Sequence, residues 1–258
     1  MIPKVIHYCW FGRGPLPELA EKCIASWRKY FPDYEIKRWD EDNFDVNAIP
    51  YTMEAYSAKK YAFVSDYARF KILYEHGGIY FDTDVEVLKP MDKILENGGF
   101  MGLQSDLVFL DAQNEKEASA LSCNPGLGLA CAPGLGLYKS ILDLYTTLKF
   151  KIAPGVENLT TVVQYTSQVL IERGLVLKPG IMEIEGIRIY PAEYFCPKPS
   201  KKGTLHITAS TYTIHHFAES WINPRLRLRY KLQGWAAKHL PRLYSWAREI
   251  YRKNNGKQ

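Results

Sequence analysis

The sequence predicts an α/β fold with a mostly parallel central sheet, on three observations. Its first segments alternate strand, helix, strand. An unusually apolar helix then runs straight into a short strand that ends in Asp82-Thr83-Asp84. The 258 residues, 47% hydrophobic and 14% aromatic, suffice for one large domain with a full core, and the 24% charged fraction excludes disorder over most of the length.

Lys4 to Phe11 reads as the first strand, a short apolar run closed by Gly12-Arg13-Gly14-Pro15. Leu19, Cys23, Ile24 and Trp27 have helical spacing within Pro17 to Tyr30, and Tyr34 to Trp39 alternates as a second strand. Tyr61 to Glu75 carries Phe63, Tyr67, Phe70 and Tyr74 at helical spacing, and Ala62, Val64, Ala68, Ile72 and Leu73 make its other faces apolar too, so it should be deeply packed. Gly77-Gly78 should end it in a left-handed C-cap. Ile79-Tyr80-Phe81 then forms a short strand, and Val85 to Leu88 another before Pro90. Further on, Gly99 to Gln104 and Leu127 to Ala132 read as strands, Gly134 to Leu148 and Asn158 to Arg173 as helices, and Ile187 to Tyr190 and Thr211 to His216 as late strands. No internal repeat or low-complexity segment interrupts them.

The five cysteines (Cys9, Cys23, Cys123, Cys131, Cys196) are scattered and form no CxxC pair, which argues for small core residues rather than a disulfide framework or a thiolate zinc site. The N-terminal segment lacks the pattern of a secretory signal, and no run approaches the roughly 18 apolar residues that span a bilayer. A cytoplasmic location is therefore expected.

The formal charge of +5 hides an asymmetry. Residues 222–258 hold ten Lys/Arg against Glu249 alone, a net +9, which leaves 23 basic and 27 acidic residues before position 222, a net −4. We expect a domain over 1–221 and a basic, helical C-terminal extension over 222–258. Within 225–253 the cations alternate with Leu, Tyr and Trp, the composition of an interfacial helix on an anionic membrane surface, although a solvated helix packed on the body fits as well. Charge alone would admit nucleic acid, but no motif accompanies it, and no nucleic-acid partner is expected.

Asp82 and Asp84 stand at the C-terminal edge of a strand, where open α/β sheets bind ligands. Hard divalent cations such as Mn²⁺ and Mg²⁺ want oxygen ligands and bridge carboxylates to substrate phosphates. A plain surface turn would look the same. Asp66 and Arg69 lie three apart in the apolar helix; buried there, they are either a satisfied ion pair or ligands for sugar hydroxyls. Either His215 or His216 offers an imidazole to complete a carboxylate-held metal.

Taken together, Ile2-Pro3-Lys4-Val5-Ile6-His7, Ser65-Asp66-Tyr67-Ala68-Arg69, Gly77-Gly78-Ile79-Tyr80, Asp82-Thr83-Asp84, and His215-His216 followed by Ser220-Trp221 resemble glycosyltransferase family 32. These are DxD-containing sugar transferases, related to mannosyltransferases and capsule enzymes and, distantly, to clostridial glucosylating toxins. The motifs span positions 2 to 221 in the right order, and the string from Ser65 to Asp84 is the most specific. The resemblance implies a GT-A fold with a Rossmann-like sheet flanked by helices, a nucleoside-diphosphate sugar donor, Mn²⁺ or Mg²⁺, and retention of configuration. Carried over by position, Asp82 and Asp84 would bind metal and donor, and Asp66 and Arg69 would hold the donor sugar. His7 to Trp10 would border the nucleotide, with Trp10 either stacking on the base or packing in the core. Asn124 would contact the sugar; Ser220 and Trp221 would touch the diphosphate; and His215, by its spacing to Trp221, is preferred over His216 as ligand. The acceptor would be a glycan or lipid-linked, in surface polysaccharide synthesis, with the enzyme peripheral on the inner face of the membrane. Two rivals are a haloacid-dehalogenase-type phosphatase, which also carries a strand followed by DxDx(T/V), and a non-catalytic sugar-binding protein of the same fold. The phosphatase needs its motif after the first long strand and a later acidic pair, and neither is present. The intact Asp66, Arg69, Asp82 and Asp84 set speaks against decay to a binding module.

Overall fold

A computed structural model describes residues 1–107, 121–198, 200 and 203–218. Val5–Cys9 (β1) is the pivot of its early half. After it come Glu18–Tyr30 (α1) and Glu35–Trp39 (β2), which pairs parallel to β1 with Val5 opposite Glu35 and Cys9 opposite Trp39. This is the strand-helix-strand unit expected from the sequence. Pro50–Ser57 (α2) follows, a short helix that the apolar spacing did not announce; Pro50 starts it in the first turn, where a missing N–H costs nothing.

Tyr61–His76 (α3) matches the predicted helix and buries Phe63, Val64, Tyr67, Ala68, Phe70, Ile72 and Leu73. Its end differs from expectation. Gly77 has φ 64° but ψ −160°, outside the left-handed helical region and in territory that only glycine enters readily. A Cβ there would lie 2.7 Å from Pro133 Cδ, and one on Gly78 would lie 2.7 Å from the Val5 carbonyl oxygen. The glycine pair therefore does more than end a helix: it lets Gly78–Tyr80 (β3) settle directly against β1, in parallel.

The remaining elements are Val85–Val87 (β4), Asp92–Leu95 (α4), Gly99–Gly102 (β5), Leu129–Cys131 (β6), Gly136–Thr147 (α5), Lys151–Ala153 (β7), Val156–Glu157 (β8), Val162–Glu172 (α6), Met182–Ile184 (β9), Ile187–Tyr190 (β10), Ala192–Phe195 (α7) and Thr213–His215 (β11). The helix expected from Asn158 starts four residues later, because Thr161 and Gln164 form a capping box that sets its first turn.

The main sheet has seven strands in the order β2-β1-β3-β6-β5-β10-β9. Only β6 and β9 run against the other five, so the sheet is mostly parallel, as expected. One face is covered by a large cluster from α2, α3, α5 and α6, including Tyr51, Phe70, Tyr138 and Tyr145. The other face carries a smaller cluster around Trp27, Phe81 and Phe100. All five cysteines are buried free thiols. A separate two-stranded sheet pairs β11 antiparallel to β4, with His215 opposite Val85. That pairing returns the late chain to the end of β3. Residues 219–258, and with them the basic extension, lie outside the described residues.

Candidate active site

The site is built where β3 ends. Strand alternation sends Tyr80 and Asp82 to the same side, and the Tyr80 hydroxyl donates to Asp82 Oδ1 at 3.1 Å. α3 precedes β3 and runs back along it, so its first turns lie level with that end. From there Arg69 reaches two carboxylates at once, Asp66 Oδ1 at 3.0 Å and Asp82 Oδ1 at 3.2 Å. Its Nε donates to the Ser65 carbonyl at 3.2 Å, and the guanidinium lies over the Tyr80 ring, 5.1 Å from the centroid.

Asp84 is held from the other direction. Its Oδ1 lies 3.2 Å from His215 Nε2, its Oδ2 accepts the Ala218 amide at 2.7 Å, and its carbonyl accepts the His216 amide at 3.0 Å. Asp82, Asp84 and His215 thereby bring one ligand atom each to within 4.8 Å of one another. His216 does not join them. Its Nε2 pairs with Glu86 Oε2 at 2.8 Å, because it directly follows His215 at the end of β11, and successive residues of extended chain point to opposite faces. Of the two histidines, the geometry brings in His215.

The electrostatics suit a cation. Burial pushes the Asp66 carboxyl up to about 7 against the pull of Arg69, and burial raises Asp82 as well, with Asp84 adding to it. At Asp84 burial acts in the same direction, but His215 and the Ala218 amide outweigh it and hold the carboxyl at about 2. Desolvation works against the Arg69 charge, yet Asp82, Tyr80 and Asp66 more than restore it. Three carboxylates against one guanidinium leave a formal −2, the charge that a divalent ion cancels. Two carboxylates and an imidazole are a donor set that Mn²⁺ and Mg²⁺ accept. His215 Nδ1 is buried with no hydrogen-bond partner among the described residues, so beyond its Nε2 contact with Asp84 the ring is held by packing, edge-on to Phe217 with centroids 4.3 Å apart.

The other expected residues divide. Asn124 is buried beside the site, but its amide is engaged at both ends: Nδ2 donates to Gln104 Oε1 at 2.9 Å and Oδ1 accepts from the Gly126 amide at 2.8 Å. It shapes the turn that presents Gly126, where a Cβ would lie 2.4 Å from Asp82 Oδ2. Trp10, just beyond β1, is half-buried with its Nε1 donating to the Gly14 carbonyl at 2.8 Å. His7 departs from expectation. It is 2% exposed, its Nε2 bonds the Gly77 carbonyl at 3.0 Å, and its Nδ1 accepts from Trp39 Nε1 at 3.0 Å. Burial accordingly lowers its pKa to about 4. Both of its nitrogens are thus committed within the protein, which leaves neither free to bond a ligand in this arrangement. Ser220 and Trp221 lie outside the described residues. Sequence reasoning missed Tyr80, Gly126 and the Ala218 amide. Only Tyr80 carried a signal, two residues before Asp82 and hence on the same face of the strand.

Residues 17–100 match the family model described as glycosyltransferase sugar-binding region containing DXD motif. This segment is similar to a DXD sugar-binding region. It holds Asp66, Arg69, Asp82 and Asp84, while His215 is supplied from beyond it. Inositol phosphoceramide mannosyltransferase 1 of Schizosaccharomyces pombe is 31% identical over 107 residues, covering 39% of this chain and 33% of that protein. An uncharacterized glycosyltransferase of Acanthamoeba polyphaga mimivirus is 36% identical over 109 residues, 40% of this chain and 41% of the relative. The chain thus spans about a third to two fifths of the length of these two relatives. Among solved structures, the PaToxG glycosyltransferase aligns with TM-score 0.46 and 18% identity over 66% of this chain and 69% of the other. A glycosyltransferase involved in the glycosylation of the major capsid of PBCV-1 aligns with TM-score 0.45 and 13% identity over 85% and 96%.

Proposed function

We propose that the protein is a metal-dependent, retaining GT-A glycosyltransferase that moves a sugar from a nucleoside-diphosphate sugar to a glycan or lipid-linked acceptor. The observation that carries this reading is the convergence of Asp82 and Asp84, inside the matched DXD region, with His215 from the late chain, beside the buried Asp66–Arg69 pair. The S. pombe relatives are named for mannosyl transfer to inositol phosphoceramide, which supports a hexose donor and a lipid-linked acceptor.

Asp82, Asp84 and His215 would hold Mn²⁺ or Mg²⁺, which when bound offsets the charge that builds on a departing diphosphate. The chain's own groups do the rest. Arg69 keeps Asp82 oriented and gives Asp66 a fixed partner, so that Asp66 can accept from the hydroxyls of the donor sugar. Tyr80 fixes the second lone-pair direction of Asp82. Gly126 leaves room for that carboxylate, and Asn124 holds the turn in place. Trp10 is the candidate platform for the base, and Ser220 with Trp221 the candidate diphosphate contacts. The catalytic domain spans 1–221, and the basic extension 222–258 contacts anionic membrane through 225–253, at the inner face of the cell membrane, in surface polysaccharide synthesis.

A panel of nucleoside-diphosphate sugars, incubated with the protein and Mn²⁺ without acceptor, tests the reading. Release of nucleoside diphosphate from at least one donor, lost with chelator and in Asp84→Asn, is expected. Tight donor binding with no turnover under any acceptor would instead make the protein a binding module.

A further inference from the structure

We infer that the hairpin β7–β8 is a membrane-docking edge that seats on an anionic lipid surface and turns the active site toward it. The hairpin carries large apolar side chains in water: Ile152 is 60% exposed, Val156 49% and, just after it, Leu159 57%. Every residue from Lys151 to Val156 is exposed, so neither side of the ribbon packs on the body. Isolated exposed apolar residues are ordinary, but three within eight positions on one projecting turn are not.

The projection is built in. Phe150 at its base is buried, and the Asn158 amide donates to the Phe150 carbonyl at 2.6 Å. The Lys151 amide donates to Glu54 Oε2 at 2.8 Å, and Lys60 Nζ pairs with Glu157 Oε2 at 3.3 Å. The turn, Ala153-Pro154-Gly155-Val156, has Gly155 at φ 74°, as a tight turn with proline in its second position requires. A hairpin tied down at its base and apolar at its tip is placed to meet a surface.

Charge selects the surface. Glu54 and Glu157, the acids beside the hairpin, are engaged in the contacts just described. Lys59, Lys149 and Lys151 make no ion pair among the described residues, and all three are exposed. Unpaired cations around exposed Ile, Val and Leu complement an anionic bilayer, whose surface attracts the lysines while its interfacial zone takes the apolar tips.

The topology gives the contact a use. Lys60 immediately precedes α3, and the first turns of α3 carry Asp66 and Arg69 to the C-terminal end of β3, where Asp82 stands. The hairpin bonded to Lys60 therefore lies at the rim of the same sheet edge into which the site is built. Seated on a bilayer, it would bring that edge to the headgroups, where a lipid-linked acceptor resides. The purpose rests on the proposed function; the docking surface does not.

The test uses the full chain with one added thiol, since the native cysteines are all buried. Ala153→Cys places an environment-sensitive dye on the hairpin, and Asp33→Cys places it in the exposed turn between α1 and β2, at the opposite edge of the sheet. On vesicles of phosphatidylcholine with phosphatidylserine, the dye at 153 should shift to the blue and the dye at 33 should not. The combined variant Ile152→Ser, Val156→Ser, Leu159→Ser in the Ala153→Cys background should lose the shift while retaining its melting temperature. Vesicle-free donor hydrolysis should be unchanged in that variant, so failure of the glycosyltransferase reading would appear as no hydrolysis in either protein with the dye shift still readable. Sedimentation with vesicles without a shift at 153 would overturn the inference and assign binding to the basic extension. A shift that appears without lipid and tracks protein concentration in light scattering would overturn it in favour of self-association.

Discussion

Arg69 serves two carboxylates, the buried Asp66 and the half-buried Asp82, and much of the site depends on that division. Removing it as Arg69→Met leaves the buried Asp66 and the half-buried Asp82 without their cation, and the general cost of breaking a buried pair such as Arg69–Asp66 should lower stability by about 3–5 kcal/mol. Thermal melts would show it, and the loss should be smaller when Asp66→Asn is combined with it. Gly126 predicts a loss of a different kind. In Gly126→Ala the new methyl would meet Asp82 Oδ2 at 2.4 Å, so the carboxylate must move. Donor hydrolysis should fall at least about tenfold, since geometric displacement at a reacting centre is costly, and the half-maximal Mn²⁺ concentration should rise with it. His7 makes a statement about pH. Its folded pKa is lowered to about 4 from an ordinary 6.5, so the unfolded chain binds the extra proton first. The stabilisation is intact above about pH 6.5 and is lost as the pH falls through about 4. It amounts to about 3 kcal/mol on the linkage relation. Urea titrations from pH 7 to pH 4 should show this slope in the native chain and a shallower one in His7→Gln. Asp82 and Asp84 stood out in the sequence because paired carboxylates after an apolar strand have few reasons to exist. Tyr80 and Gly126 did not, because a tyrosine in a strand and a glycine in a turn have many.

Elements were legible in proportion to their periodicity. α3 could be bounded within a residue because it is apolar at helical spacing over its whole length, and β10 because a compact run of Ile and Tyr has no helical alternative. α2 was missed: eight residues with Tyr51, Thr52 and Ala55 buried make too short a pattern, and only Pro50 marked its start. The β7–β8 hairpin was missed because it has no buried face, so the alternation that announces a strand is absent. The join between α3 and β3 yields a firm expectation. Gly77→Ala places a methyl 2.7 Å from Pro133 Cδ and forces a side chain into φ 64°, ψ −160°. A destabilisation of about 1–3 kcal/mol is expected from backbone strain alone, read as a fall in the urea midpoint with no change in slope.

For the whole molecule, the strand-helix-strand opening was enough to predict a mostly parallel sheet, but the insertion of β6 between β3 and β5 could not be read from it. That antiparallel strand joins the early half of the sheet to the later one, and its pairing with Gly78–Tyr80 is a long-range contact with no local sequence signature. The net charge of the site has a consequence for the entire fold. A cluster of formal charge −2 should be stabilised when Mn²⁺ and a nucleoside diphosphate bind together. At about 100 times the dissociation constant this amounts to about 2.7 kcal/mol, or about 5–11 °C in a domain of this size. Differential scanning fluorimetry should show the rise, chelator should reverse it, and Asp84→Asn should abolish it.

The bond from the Ala218 amide to Asp84 joins residues 134 positions apart, and the pairing of His216 with Glu86 spans 130. A ribosome that has finished the DXD region has therefore not yet made the groups that complete the Asp82–Asp84–His215 cluster. Until residue 218 has left the exit tunnel, Asp84 lacks both its imidazole and its amide. A chain cut short between residues 190 and 213 should therefore keep all seven strands of the main sheet while lacking His215 and the Ala218 amide that Asp84 bonds.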